Sequence, residues 1–157
     1  VLIAGLPASG KSYFAKTYFQ VSKRKRVNRK EIRRLLYEMT HFGEKWKEEY
    51  FNEHDESLVK HVERKILEHL LQNNERVLID NTSITASSRK NYVAVTRQMK
   101  KTIGIVFLKV PARECLDRNH KRGDPIPDMV ISNLSAALEI PTKEEGFQEV
   151  LILSGGL

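Results

Sequence analysis

The stretch Gly5-Leu6-Pro7-Ala8-Ser9-Gly10-Lys11-Ser12 constrains this chain more than any other. It obeys the spacing G-x-x-x-x-G-K-[S/T] and lies between a short apolar run, residues 1–4, and a predicted helix over residues 12–18. Glycines at 5 and 10 let the backbone curl into a nest whose N–H groups converge on an anion. A helix starting at the end of that nest adds the positive end of its dipole. In such a loop Gly5, Pro7, Ala8, Ser9 and Gly10 wrap phosphate, and Tyr13 stands in the helix beside them. Lys11 reaches the β- and γ-phosphates of a nucleoside triphosphate, and the Ser12 hydroxyl is a ligand for Mg²⁺. A plain glycine turn is the bland alternative, and the strand–loop–helix setting argues against it.

The rest of the pattern alternates strands with helices. Strands are predicted at residues 1–4, 27–28, 77–79, 103–110 and 150–153, with helices over 12–18, 30–39, 55–72, 85–99, 111–122 and 127–138. On the longest helix the apolar stripe is read as Leu58, Val62, Ile66 and Leu70, widened by Val59, Leu67 and Leu71. Strands joined by helices of this length imply right-handed crossovers and a parallel sheet. The expected fold is therefore α/β, a P-loop NTPase-type three-layer sandwich with a central parallel sheet and a helical lid. No repeat, low-complexity stretch or linker interrupts the chain, so residues 1–157 are expected to form one domain, with the lid at about 111–138.

Composition adds limits. The 157 residues suffice for one core without disulfides. The longest apolar runs are strand-sized, so no membrane segment is expected. Cys115 is the sole cysteine and has no disulfide partner within the chain, which fits a cytoplasmic setting. The N-terminal apolar run lacks a basic leader, so no signal peptide is expected. The missing initiator Met suggests a piece of something longer. The formal charge of +7 directs attention to polyanionic partners. Much of it lies in residues 23–34 and 113–122, which otherwise read as solvated helix faces.

Further residues extend the phosphate chemistry. The arginines of Val27-Asn28-Arg29-Lys30-Glu31-Ile32-Arg33-Arg34 suit bidentate phosphate binding at the carboxyl edge of the sheet. Asp80 closes a buried strand, where an acidic group can hold Mg²⁺ or fix an arginine, whereas Asn81 and Thr82 read as turn-capping residues. Arg118 and Arg122 share one face of a helix and are placed to close over a transferring phosphoryl group. The five histidines show no metal-ligand spacing, and His54 and His61 read as surface residues. Cys115 reads as a structural thiol. Trp46, Tyr50 and Phe51 read as a packing cluster on a helix.

Taken in order, these segments resemble the polynucleotide 5′-kinase group of P-loop kinases, the phage-type and bacterial end-healing enzymes. The resemblance rests on residues 5–12, on Val27-Asn28-Arg29 with Ile32-Arg33, and on Leu78-Ile79-Asp80-Asn81-Thr82. It continues through Val110-Pro111, Cys115, Arg118-Asn119, Lys121-Arg122-Gly123, Ile126-Pro127 and the C-terminal Pro141-Thr142 to Val150. It implies transfer of the γ-phosphate of ATP, with Mg²⁺, to a 5′-hydroxyl end of DNA or RNA. Arg33 would then grip the acceptor phosphodiester with Asp80 in support, and Arg118 and Arg122 would contact the donor phosphates. The tail at Gly146-Phe147 would lie by the nucleotide base.

At one position the chain departs from that group. Lys30 stands where the family carries an aspartate that takes the proton of the acceptor hydroxyl, and a protonated lysine cannot. Glu31 could substitute through a shifted helix start, Lys30 could be an introduced change, or the domain could bind without efficient transfer. Two other readings stay open. One is a small-molecule or tRNA-directed kinase; the other is a nucleotide-dependent module that binds nucleic-acid ends.

Overall fold

The computed structural model describes residues 1–155. Its elements are β1 (Leu2–Gly5), α1 (Lys11–Phe19), β2 (Lys25–Val27), α2 (Arg29–Thr40), α3 (Glu53–Gln72), β3 (Val77–Asp80), α4 (Ala86–Gln98), β4 (Ile105–Lys109), α5 (Ala112–His120), α6 (Asp128–Ala136) and β5 (Val150–Ser154). The five strands form one sheet in the order β2-β3-β1-β4-β5, and every pairing is parallel. With all strands aligned, the loop after β1 and the loop after β3 open at the same carboxyl edge. The predicted α/β sandwich is what the chain adopts.

Alternation along the strands makes the two faces. Leu2, Ala4, Ile105 and Phe107 point into one apolar cluster with Val59, Leu67 and Tyr92, under α2, α3 and α4. Ile3, Val106 and Leu108 point into the other with Phe14, Cys115 and Ile131, under α1, α5 and α6. Cys115 is a buried core thiol, as its place in a helix suggests. Helix starts follow from local chemistry. Asn28 and Asn52 cap α2 and α3 by accepting from Glu31 N and Asp55 N, and Thr85 with Ser88 forms a capping box on α4.

The structure keeps most of the apolar stripe of α3, with Val59 and Leu67 in the core and Val62, Leu70 and Leu71 packed against it. The buried positions are Glu56, Val59, Glu63 and Leu67, whereas Leu58 and Ile66 are exposed. The core face also includes two carboxylates, which a search for apolar residues alone does not find. Each buried carboxylate has an arginine on α2: Arg33 Nε donates to Glu56 Oε2 at 2.7 Å, and Arg29 Nη2 donates to Glu63 Oε2 at 2.6 Å. Trp46, Tyr50 and Phe51 are not on one helix. Only Glu48–Tyr50 forms a 3₁₀ turn, with Trp46 and Tyr50 packed against Tyr37 of α2 at ring separations of 5.3 and 5.2 Å.

Candidate active site

The residues after β1 form the predicted nest. Gly5 and Gly10 adopt φ of 151° and 96°, and Ala8 also takes positive φ, 60°. A Cβ on Gly5 would stand 2.8 Å from the Leu108 carbonyl oxygen, so β1 and β4 can approach here only with glycine. Gly10 is the N-cap of α1, which therefore points its N-terminus at the loop's concave side. Lys11 Nζ donates to the Leu6 carbonyl at 2.7 Å across the loop. Lys11 keeps some exposed surface, but its ammonium sits deep among the loop's atoms. Desolvation lowers its pKa to about 8, against the opposing pull of Asp80.

Asp80 ends β3 beside this loop and is fully buried. The Ser12 hydroxyl donates to its Oδ2 at 3.0 Å, and Arg26 Nη2 donates to the same oxygen at 2.7 Å. Oδ1 is buried and has no hydrogen-bond partner among the described residues. A buried carboxylate oxygen left unpaired carries a desolvation cost that a hard cation would relieve. Asp80 Oδ1 and the adjacent Ser12 hydroxyl thus fit Mg²⁺ as oxygen donors. Asp80 also anchors α2, because its carbonyl accepts from Asn28 Nδ2 at 2.7 Å. Asn81 does the same one residue on, accepting from Arg29 N at 2.9 Å and donating to Glu63 and the Tyr92 hydroxyl. Asn81 is structural, as its sequence context suggests.

Across the loop, α5 delivers Arg118, whose Nη1 donates to the Ser9 carbonyl at 3.2 Å; Glu114, one turn earlier, also holds this guanidinium. Arg122 lies past the end of α5, near enough to add repulsion at Lys11. The fully buried side chains of Cys115 and Ile131 seat α5 and α6 on the sheet, so the segment between them overhangs the loop.

The structure brings residues 5–13, Asp80, Arg118 and Arg122 to one edge. Two other predicted site residues make contacts away from that group. Arg33 gives its Nε and Nη2 to Glu56 and lies over Phe51 and Trp46. The buried carboxylate claims it, since leaving Glu56 unpaired would be costly. Phe147 does not lie by the nucleotide. It is buried in the α4-side core, one residue before Gln148, whose N–H donates to the Ile103 carbonyl at 2.9 Å at the amino edge of the sheet, opposite the loop. The parallel β5 runs from that edge towards the loop, so Ser154 is the residue that pairs with Lys109 at the carboxyl edge.

The sequence reading missed Arg26, which links Asp80 to Glu31 through a 2.6 Å contact. It missed Glu48 as well, whose Oε1 lies 2.9 Å from Lys30 Nζ. Neither sits in a recognisable motif. The heptad spacing of Glu56 and Glu63 opposite the i, i+4 pair Arg29 and Arg33 was a usable signal for the α2–α3 pairing.

The nest, the order of the parallel strands and the helical segment over the loop define a P-loop domain of the kinase type. Residues 1–141 match the AAA domain family, and the chain belongs to it. It is similar to the L-seryl-tRNA(Sec) kinase of Methanococcus maripaludis, with 26% identity over 144 residues, 90% of this chain and 52% of that protein. The chain therefore spans about half the length of this curated relative. Its fold is similar to a chain of the Pnkp1/Rnl/Hen1 RNA repair complex, with TM-score 0.71 and 24% identity over 87% of this chain and 42% of that one. It is also similar to Kti12 of Chaetomium thermophilum solved with ADP-AlF3, with TM-score 0.67 and 14% identity over 98% of this chain and 87% of that one. Among the described residues, no helix is long and apolar enough to cross a membrane.

Proposed function

We propose that this chain is an ATP- and Mg²⁺-dependent phosphotransferase whose acceptor is a hydroxyl at a nucleic-acid end, the 5′-hydroxyl of DNA or RNA. The observation that carries the reading is the Ser12–Asp80 pair, with its unpartnered buried oxygen, at the rim of the nest. The loop's remaining backbone N–H groups and those at the start of α1 bind the β- and γ-phosphates, and Lys11 leaves the Leu6 carbonyl to reach them. Ser12 and Asp80 would hold Mg²⁺, which when bound neutralises charge on those phosphates. Arg118 and Arg122 offset the charge that develops on the transferring group. Arg26 and Asn28 keep Asp80 and the start of α2 in register. Arg33 holds α2 on α3 and is not assigned to the acceptor.

A nucleic-acid acceptor is supported by the net charge of +7 and by the likeness to a chain of an RNA repair complex. The similarity to a seryl-tRNA kinase favours a second reading, in which the hydroxyl belongs to an amino acid carried on tRNA. Transfer of labelled γ-phosphate from Mg-ATP to 5′-hydroxyl RNA, 5′-hydroxyl DNA and seryl-tRNA separates the two. Labelled oligonucleotide supports the first reading, labelled seryl-tRNA alone supports the second, and no labelled acceptor with intact ATP binding rejects both.

A further inference from the structure

Transfer to a hydroxyl leaves one requirement unassigned, a group that receives the hydroxyl proton. The first turn of α2 is fixed beside Asp80 by the Asn28 and Arg29 contacts, and Lys30 projects from it towards the overhanging segment. Its Nζ lies 3.2 Å from Asp124 Oδ2, two residues beyond Arg122. Lys30 therefore spans the opening above the loop, where an acceptor must arrive to meet a γ-phosphate held by residues 5–12.

The carboxylates around that opening are all ion-paired, and they differ in which cation they face. Asp80 serves Ser12 and Arg26. Glu114 holds Arg118. Glu31 is exposed and tied to Arg26 of β2. Asp124 is mostly exposed, with its carboxylate shared between Lys30 and Arg122. Glu48 is half-buried and its partner, at 2.9 Å, is Lys30 itself. Its backbone belongs to a 3₁₀ turn pinned to α2 by the stacking of Tyr50 on Tyr37 and the edge-on contact of Trp46. A carboxylate offers about four lone-pair sites, so the Lys30 contact leaves room for an incoming O–H.

Resting on the phosphotransfer reading, we infer that Glu48 is the general base of the reaction and Lys30 its positioning residue. The acceptor O–H gives its proton to Glu48 as the oxygen attacks the γ-phosphorus. The bond from that phosphorus to the bridging oxygen breaks, ADP leaves, and the protonated Glu48 returns its proton to water. The charges at the two positions are thereby exchanged relative to a site with its carboxylate on α2. The carboxylate comes from the 3₁₀ turn and the helix supplies the cation that orients it.

The test uses the full chain, Mg-ATP and whichever hydroxyl acceptor the wild type labels. Glu48→Gln is expected to lower kcat by about 10²–10⁴ with acceptor KM and ATP affinity unchanged. Glu48→Asp should retain part of the rate. Glu48→Lys alone should be as poor as Glu48→Gln, and Lys30→Asp combined with Glu48→Lys should recover activity by restoring a carboxylate beside a cation. Wild-type kcat in Glu48→Gln, a loss confined to Glu31→Gln, or a fall in ATP affinity that matches the fall in kcat would overturn the inference while leaving the transfer reading intact. A wild type that binds ATP and labels no hydroxyl acceptor overturns that reading, and the role of Glu48 falls with it.

Discussion

At the amino edge of the sheet, backbone groups find backbone partners. Leu2 N donates to Gly104 O, Lys25 N to Arg76 O and Gln148 N to Ile103 O, each at 2.8–2.9 Å, and Arg24 Nε is the buried side-chain atom there without a partner among the described residues. At the carboxyl edge the same strands end in positive-φ backbone, a desolvated lysine and two buried oxygens, Ser9 Oγ and Asp80 Oδ1, without partners among the described residues. Unsatisfied groups cost stability, and the two that gather at the loop are the ones a phosphate-bound cation and its ligand could satisfy. The difference teaches that one set of strands can be finished mainly by backbone pairing at one edge and by a glycine-shaped loop with paired polar side chains at the other.

The contrast is broken most directly at Lys11. Lys11→Ala should reduce phosphoryl transfer by about 10³-fold and weaken ATP binding, with little change in melting temperature, as read by single-turnover kinetics and calorimetry. Arg33→Ala should do the reverse. It strands Glu56 in the α2–α3 interface and is expected to cost about 3–5 kcal/mol in denaturant unfolding, with turnover per folded molecule retained. If Arg33→Ala instead loses turnover at full stability, Arg33 serves the acceptor after all. Phe147→Ala sharpens the comparison from the other edge. It should cost about 3 kcal/mol, the low end for such a truncation, because this buried side chain lies beside an open surface groove, and ATP affinity should not move.

The smallest effect is a pH dependence. Burial lowers the Lys11 pKa to about 8 in the free protein, and bound phosphates favour the ammonium, so the pKa is higher in the complex. Below about pH 8 the proton is already in place. As pH rises through that value, binding must take one up, and ATP affinity should fall by up to about tenfold per pH unit. Calorimetric titrations in buffers of different ionisation heat report that proton directly.

How much of this was legible in the sequence differs between the edges. Residues 5–12 were readable because few backbones other than a phosphate nest need glycines and Lys-Ser at that spacing. The sheet was readable because buried parallel strands are nearly continuous apolar runs, and Asp80 stood out by ending one. Arg33 was assigned to phosphate because a sequence does not display its partner. Glu56 lies 23 residues away, on a helix whose buried face is partly acidic. Phe147 was assigned to the nucleotide by resemblance alone; the direction of β5 decides its place, and only the assembled register reveals it. Glu48 was invisible for the same reason, since its meaning comes from Lys30 across an intervening turn.

The most direct measurement is amide hydrogen exchange with and without Mg-ATP. The account predicts added protection in residues 5–12 and around Arg118, with residues 146–149 unchanged. Protection gained at residues 146–149 while residues 5–12 exchange as before would place the nucleotide at the wrong edge and contradict it.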